Sequence, residues 1–257
     1  MIVAVHQGPY AELPEAVATA AEHGAGLVVT AEMITTGYHI GEAAHRLAEP
    51  ADGPLSAALG ALAARHGVAL AYGYPERDGP TVYNSAQLLG PDGSRLANYR
   101  KTHLFGDLDR TRFAPGDEPV VQADFGGLRT GLLICYDVEF PEMVRAHALA
   151  GTHLLLVPTA LMQPYERVAD LLVPVRAHEN GLYVVYANRC DTEGELTYCG
   201  HSSISAPDAT LAKAGTGPEL IFADVDLTAL TRAREETPYL TDRRPQLYRS
   251  LTEGPQP

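Results

Sequence analysis

Short apolar runs, each closed by a glycine, a turn or a polar side chain, alternate with helical stretches along the whole chain. That alternation is the strongest constraint on the fold, because strands and helices in turn build α/β layers. Residues 2–6 read as a first strand, and Leu13 to His23 as an alanine-rich helix ended by Gly24 and Gly26. Gly26 to Glu32 is a buried strand with a carboxylate at its end. Pro54 to His66 is helical and stops at Gly67. Val68 to Tyr74 and Tyr83 to Leu89 are strands, and Pro91-Asp-Gly turns the chain into a hairpin partner, Arg95 to Arg100. Residues 102–118 form a long loop, a length that in a compact domain points to function or disorder. Strands at 119–124 and 127–135, a helix at about 141–150 and a strand from His153 to Val157 follow. Tyr165 to Asn180 is helical around Pro174, then Leu182 to Asn188 and His201 to Ser205 are strands. Glu219 to Val225 is a late strand and Leu227 to Glu235 a last helix. Hairpins mixed with strand–helix units predict a mixed sheet or two sheets rather than a purely parallel one.

No repeat, low-complexity tract or linker divides the 257 residues, so they read as one domain, 1–257, with 237–257 as a C-terminal arm. No apolar run approaches the roughly 20 residues of a membrane span, and the N-terminus reads as a strand rather than a signal peptide. Three cysteines, an odd number at wide spacing, argue against a disulfide framework and for a reducing cytoplasm. A formal charge of −13 disfavours nucleic acid and anionic membranes as partners.

Three reactive groups stand at the ends of three strands: Glu32, Lys101 and Cys135. Ligands gather outside the carboxyl ends of strands in open α/β sheets, so these side chains converge if their strands are neighbours. A carboxylate there can take a thiol proton, and an ammonium can favour the thiolate and hold an oxyanion. Helix N–H groups after Cys135 add to the same effect. Taken singly, each has an ordinary reading: a core cysteine, a solvated strand end, a surface lysine. His103, His178 and His201 share no metal-ligand spacing, Cys190 and Cys199 lack a base and a lysine nearby in sequence, and no phosphate loop is present.

Separated stretches in a fixed order carry a resemblance. They are Val29-Thr-Ala-Glu-Met-Ile-Thr-Thr-Gly-Tyr, Tyr99-Arg-Lys-Thr-His-Leu-Phe-Gly, Gly131-Leu-Leu-Ile-Cys-Tyr-Asp-Val-Glu-Phe-Pro-Glu, and Arg176-Ala-His-Glu-Asn followed by Tyr186-Ala-Asn. On these the chain resembles the nitrilase superfamily of carbon–nitrogen hydrolases from end to end. Thr36-Gly-Tyr-His-Ile-Gly, Tyr72-Gly-Tyr-Pro-Glu-Arg, Lys101 to Arg110 and Pro238-Tyr-Leu-Thr-Asp resemble the 5-aminopentanamidases, amidases of lysine degradation, within that family.

The resemblance implies a four-layer αββα sandwich, two mixed β-sheets flanked by helices. It places a general base on Glu32, an oxyanion lysine on Lys101, the nucleophile on Cys135 and a second oxyanion donor on the backbone N–H of Tyr136. It implies no metal or organic cofactor, a small amide as substrate, and association into a homodimer or larger assembly, with Arg176 to Asn180 as the candidate contact. Two departures stand out: Ala31 replaces the proline usual before the base, and Asp107 and Asp109 stand where many members place a second glutamate. Tyr38, Asp107, Asp109 and Glu139 are candidates to bind substrate, with Glu139 the first choice for a cationic end. The implied reaction converts 5-aminopentanamide to 5-aminopentanoate and ammonia through a thioester. The alternatives are a broad or stereoselective carboxamide hydrolase, an N-carbamoyl amine hydrolase, a nitrile hydrolase that yields the acid, or a non-catalytic binding protein on the same scaffold.

Overall fold

The computed structural model describes residues 1–251. In chain order it contains β1 (Ile2–Gln7), α1 (Leu13–Glu22), β2 (Ala25–Thr30), α2 (Ala43–Leu47), α3 (Pro54–His66), β3 (Ala69–Asp78), β4 (Thr81–Leu89) and β5 (Arg95–Arg100). Then come α4 (Gly106–Arg110), β6 (Val121–Phe125), β7 (Leu128–Leu132), a 3-10 turn (Cys135–Glu139), α5 (Pro141–Leu149) and β8 (Leu154–Thr159). A π-helical segment (Val168–Leu172) runs into α6 (Val173–Asn180), followed by β9 (Tyr183–Asn188), β10 (Thr192–Glu193), β11 (Leu196–Thr197), β12 (Ser203–Ser205), β13 (Thr210–Lys213), β14 (Glu219–Asp224), α7 (Leu227–Glu236) and α8 (Tyr239–Asp242).

Two six-stranded sheets result, ordered β14-β1-β2-β3-β4-β5 and β13-β12-β9-β8-β7-β6. Both are mixed. In the first, β1, β2 and β3 run parallel and β4, β5 and β14 pair antiparallel. In the second, β7, β8 and β9 run parallel and β6, β12 and β13 pair antiparallel. Side chains alternate across a strand, which decides what each face meets. Val3, Val5, Leu27, Val29, Ala69 and Ala71 turn toward the second sheet and join one core with Leu154–Val157 and Val184. Ala4, Val28 and Leu70 turn the other way, onto Leu13 and Val17 of α1 and Leu59 and Ala63 of α3. Val144 and Ala148 of α5 and Val173 and Ala177 of α6 complete the core on the far side. The layers are helices, sheet, sheet, helices, the expected αββα sandwich.

Several small elements were not legible in the pattern. β13 is mostly exposed and its two apolar residues, Leu211 and Ala212, are adjacent, so it shows no apolar alternation. The loop over 102–118 contains α4 and is tied down: Ala114 N donates to Val82 O at 2.9 Å and Gly116 N to Lys101 O at 2.8 Å. The C-terminal arm is mostly exposed over its described residues but touches the body at two points. Leu240 meets the core, and the Tyr239 ring stands edge-on to His178 of α6 with centroids 5.7 Å apart. Residues 252–257 of the expected arm lie outside the described residues. Among the described residues no helix is long and apolar enough to cross a membrane.

Candidate functional site

The strand ends bearing Glu32, Lys101 and Cys135 are not neighbours in one sheet. β2 and β5 belong to the first sheet with β3 and β4 between them, and β7 lies in the second. The three side chains converge across the sandwich. Glu32 follows β2, and its N–H reaches Thr159 O at the end of β8, 3.3 Å away in the facing sheet. Met33 next to it adopts a left-handed φ of 51°. β3 runs directly behind: a Cβ on Gly73 would stand 2.6 Å from Met33 N and 2.7 Å from Glu32 Cα, so only glycine leaves room. Lys101 follows β5, fixed by its N–H to Asn84 O at 2.8 Å.

Lys101 is the centre of the charged wall. Its Nζ donates to Glu32 Oε1 at 2.8 Å and to Asp109 Oδ2 at 2.7 Å, and all three side chains are fully buried. Asn84 Nδ2 donates to the same Glu32 oxygen at 2.6 Å, and Phe105 N–H to Asp109 Oδ2 at 2.9 Å. Glu32 Oε2 and Asp109 Oδ1 are buried with no partner among the described residues. Burial pushes the Glu32 carboxyl above its ordinary value, with Lys101 opposing and Asp109 reinforcing the rise. Burial pulls the Lys101 ammonium down, but Asp109 and Glu32 outweigh it and hold its pKa well above the ordinary one. These shifts favour the charged form of Lys101 and make Glu32 a stronger base than a solvated carboxylate.

Cys135 opens the 3-10 turn with a φ of 46°, a conformation that costs a non-glycine residue on the order of 1–3 kcal/mol. The expectation that helix N–H groups would favour the thiolate is corrected here. α5 begins only at Pro141, so no long helix starts at the sulfur. Burial pushes the thiol well above its ordinary pKa and Glu32 adds to the rise, against the pull of Lys101 and a backbone hydrogen bond at Ala160. Both shifts favour the neutral thiol, and Glu32 is the carboxylate able to take its proton. Tyr136, half-buried, is the second residue of this turn, where N–H groups have no partner within the turn.

Asp137 ties the turn to the lysine segment. It accepts hydrogen bonds from Ile134 N (3.1 Å), Tyr99 Oη (2.9 Å), Thr102 Oγ1 (2.9 Å) and His103 N (2.8 Å). Sequence reasoning gives this acid no task, because Tyr99, Thr102 and His103 lie on and just after β5 of the other sheet. It missed Asn84 and Glu193 altogether. Glu193, on the β10–β11 hairpin, accepts from the N–H groups of Tyr38 (3.0 Å) and His39 (2.8 Å) and from Tyr198 Oη (2.6 Å), which fastens the loop after Glu32. Only the inward position of Asn84 on β4 offered a signal.

The substrate-binding candidates separate. Asp109 lies on Lys101, so the methylene it lacks relative to glutamate does not prevent contact. Asp107 is exposed, two residues before Asp109 on α4. Tyr38 is buried with its ring centroid 5.7 Å from Lys101 Nζ. Glu139 is half-buried; burial raises its carboxyl pKa, while Lys101 and Arg176 pull it down. The turn that bears it carries an aromatic rim: Phe105 and Tyr136 meet edge-on at 5.3 Å, Tyr136 and Phe140 at 4.9 Å, Phe105 and Tyr165 at 6.4 Å. His103 stacks on Phe140 at 3.9 Å.

The remaining candidates lie elsewhere. His178 lies against Pro207 O and His201 against Asp170. Among the described residues no group of three His, Cys, Asp or Glu is placed to hold a metal ion. Burial pushes the thiols of Cys190 and Cys199 up to about 11. The expected contact segment, Arg176 to Asn180, turns Arg176, Ala177 and Asn180 inward; exposed apolar side chains of this region include Leu149, Leu171 and Val175.

Comparison with known proteins gives the family and the fold. A carbon–nitrogen hydrolase family model matches residues 7–235. The chain is 49% identical over 232 residues to the hydrolase in the pqqF 5' region of Pseudomonas protegens, covering 89% of this chain and 81% of that one. It is 36% identical over 231 residues to an (R)-stereoselective amidase of a Pseudomonas species, covering 89% and 83%. An amidase from Nesterenkonia sp. AN1 superposes with a TM-score of 0.87 at 34% identity, covering 98% of this chain and 99% of that one. A variant of that amidase carries acrylamide added at its active-site cysteine.

Proposed function

Because the chain belongs to the carbon–nitrogen hydrolase family, we propose that it hydrolyses a short linear aliphatic amide, 5-aminopentanamide, to 5-aminopentanoate and ammonia. Glu32 takes the proton of the Cys135 thiol as the sulfur attacks the amide carbonyl carbon. The carbonyl π electrons move onto oxygen, and Lys101 Nζ and the Tyr136 N–H hold that oxyanion. Glu32 returns the proton to nitrogen, the C–N bond breaks, and ammonia leaves a thioester on Cys135. A water, deprotonated by Glu32, attacks the thioester; the C–S bond breaks, the sulfur recovers the proton and the acid departs. The observation that carries this reading is the buried Lys101 ammonium on Glu32 and Asp109, whose field acts on the Cys135 thiol.

The far end of the substrate rests on a narrower argument. With Asp109 engaged by Lys101 and Asp107 exposed, Glu139 is the acid left to meet an ω-ammonium. The rings of Phe105, Tyr136 and Phe140 suit the methylene chain and the cation's approach. A charge-assisted hydrogen bond contributes about 1.5–3 kcal/mol. 5-Aminopentanamide is therefore expected to exceed hexanamide, its methyl-ended isostere, by at least about tenfold in kcat/KM. Glu139→Gln is expected to shrink that ratio by slowing only the amino substrate. Equal rates on the two amides would replace this reading with a broader carboxamide hydrolase, which the aromatic rim also suits. We place the protein in the cytoplasm on its three unpaired thiols. We propose that it forms a homodimer or larger assembly through the exposed Leu149, Leu171 and Val175.

A further inference from the structure

The Arg176-Ala-His-Glu-Asn stretch has no part in the chemistry above, yet it touches the turn that performs it. Arg176, on α6, is 7% exposed. Its Nε donates to Val138 O at 3.0 Å and its Nη2 to Glu139 O at 2.7 Å. These carbonyls close the C-terminal end of the turn that begins at Cys135. The third edge of the guanidinium, Nη1, lies 2.7 Å from Glu179 Oε1, one turn further along α6. Glu179 O accepts from Arg145 Nη2 of α5 at 2.8 Å, and Asn180 Nδ2 donates to Arg176 O at 3.0 Å. Asp137 anchors the beginning of the same turn to the Lys101 segment.

We infer that Arg176, oriented by Glu179, is a positioning residue that fixes the far end of the nucleophile turn and thereby the alignment of Cys135 and the Tyr136 N–H with the substrate carbonyl. The inference rests on the reading of Cys135 as nucleophile. A five-residue turn that starts in a left-handed conformation does not hold itself; such a conformation persists only where the surroundings over-determine it. The planar guanidinium suits the task, because a fixed fork can take two successive carbonyls and a carboxylate at once, whereas an ammonium cannot hold that geometry. A misplacement of about 1 Å in a reacting group costs on the order of 10²-fold in rate, so partial loosening is expected to appear in kcat and not in affinity.

The test uses Arg176→Lys and Glu179→Gln, with circular dichroism and Tm to establish folding. Steady-state rates on 5-aminopentanamide are measured beside the alkylation rate of Cys135 by iodoacetamide, read by mass spectrometry. Arg176→Lys is expected to lower kcat about tenfold and Glu179→Gln about threefold, with KM within about twofold of the parent. Alkylation is expected to slow in the same order. Folded variants that lose only Tm, with kcat and alkylation unchanged, overturn the inference and leave Arg176 a packing residue. Should Arg176→Lys fail to fold, Glu179→Gln decides alone, since Glu179 is part-exposed and its replacement isosteric. If the parent hydrolyses no amide, the proposed function fails, while alkylation still tests the turn.

Discussion

The two walls of the site obey opposite rules. The first sheet supplies Glu32, Asn84, Lys101 and the Lys101-bound Asp109: dry, ionic, locked by contacts of 2.6 to 2.8 Å. The second sheet supplies Cys135, Tyr136, Glu139 and Phe140: half-buried and aromatic, on a turn held from outside. A buried ion triangle is costly to desolvate and loses its geometry if any member moves, so that wall suits chemistry common to every amide. A rim of rings and one half-buried acid can change without breaking anything else, so that wall suits the choice among amides.

The sharpest way to break this comparison is at the sulfur. Cys135→Ala is expected to abolish ammonia release, whereas Cys190→Ala and Cys199→Ala retain most activity in the same assay. Lys101→Met comes next. Losing an oxyanion donor costs on the order of 10²–10³ in kcat. Here it also strands two buried carboxylates, an imbalance that costs about 3–5 kcal/mol of stability; rates must be normalised to folded protein by denaturant titration. A normal rate would remove lysine from the oxyanion site.

The aspartates sharpen the comparison, since they lie two residues apart on α4 and only one reaches the dry wall. Asp109→Asn is expected to lower kcat/KM by about ten- to a hundred-fold, the range of one charge-assisted hydrogen bond. Asp107→Asn should stay within about twofold, as exposed substitutions do. Similar losses in both would mean that α4 acts as a unit rather than through one carboxylate. The gentlest test is pH. Glu32 must be ionised to accept the thiol proton, and burial raises its pKa, so kcat/KM should climb through a value above the ordinary 4.5. A limb at or below that value in the pH–rate profile would put a solvated acid in its place.

Much of this was legible in the sequence because strands and their ends leave local marks. Cys135 follows an apolar run, Lys101 a hairpin strand, Glu32 a buried strand. What was illegible is what needs two sheets at once. Nothing near Asp137 announces that Tyr99 and Thr102 will donate to it, nor does Glu193 reveal that its hairpin will fold over Tyr38 and His39. The thiolate expectation failed for a related reason. Proximity to a helix in sequence says nothing about burial, and burial dominates the Cys135 thiol.

Gly73 carries no chemistry, yet β3 passes so close behind Glu32 that one methyl group there would collide with the backbone of Glu32 and Met33. In the drift of a protein lineage, such a position is a concealed point of failure. A descendant could keep every reactive side chain and still fall silent through a single codon on a strand that never meets the substrate. Surveys that judge competence by the presence of reactive residues would count that descendant as active. The room behind the base is as much an inherited trait as the base itself.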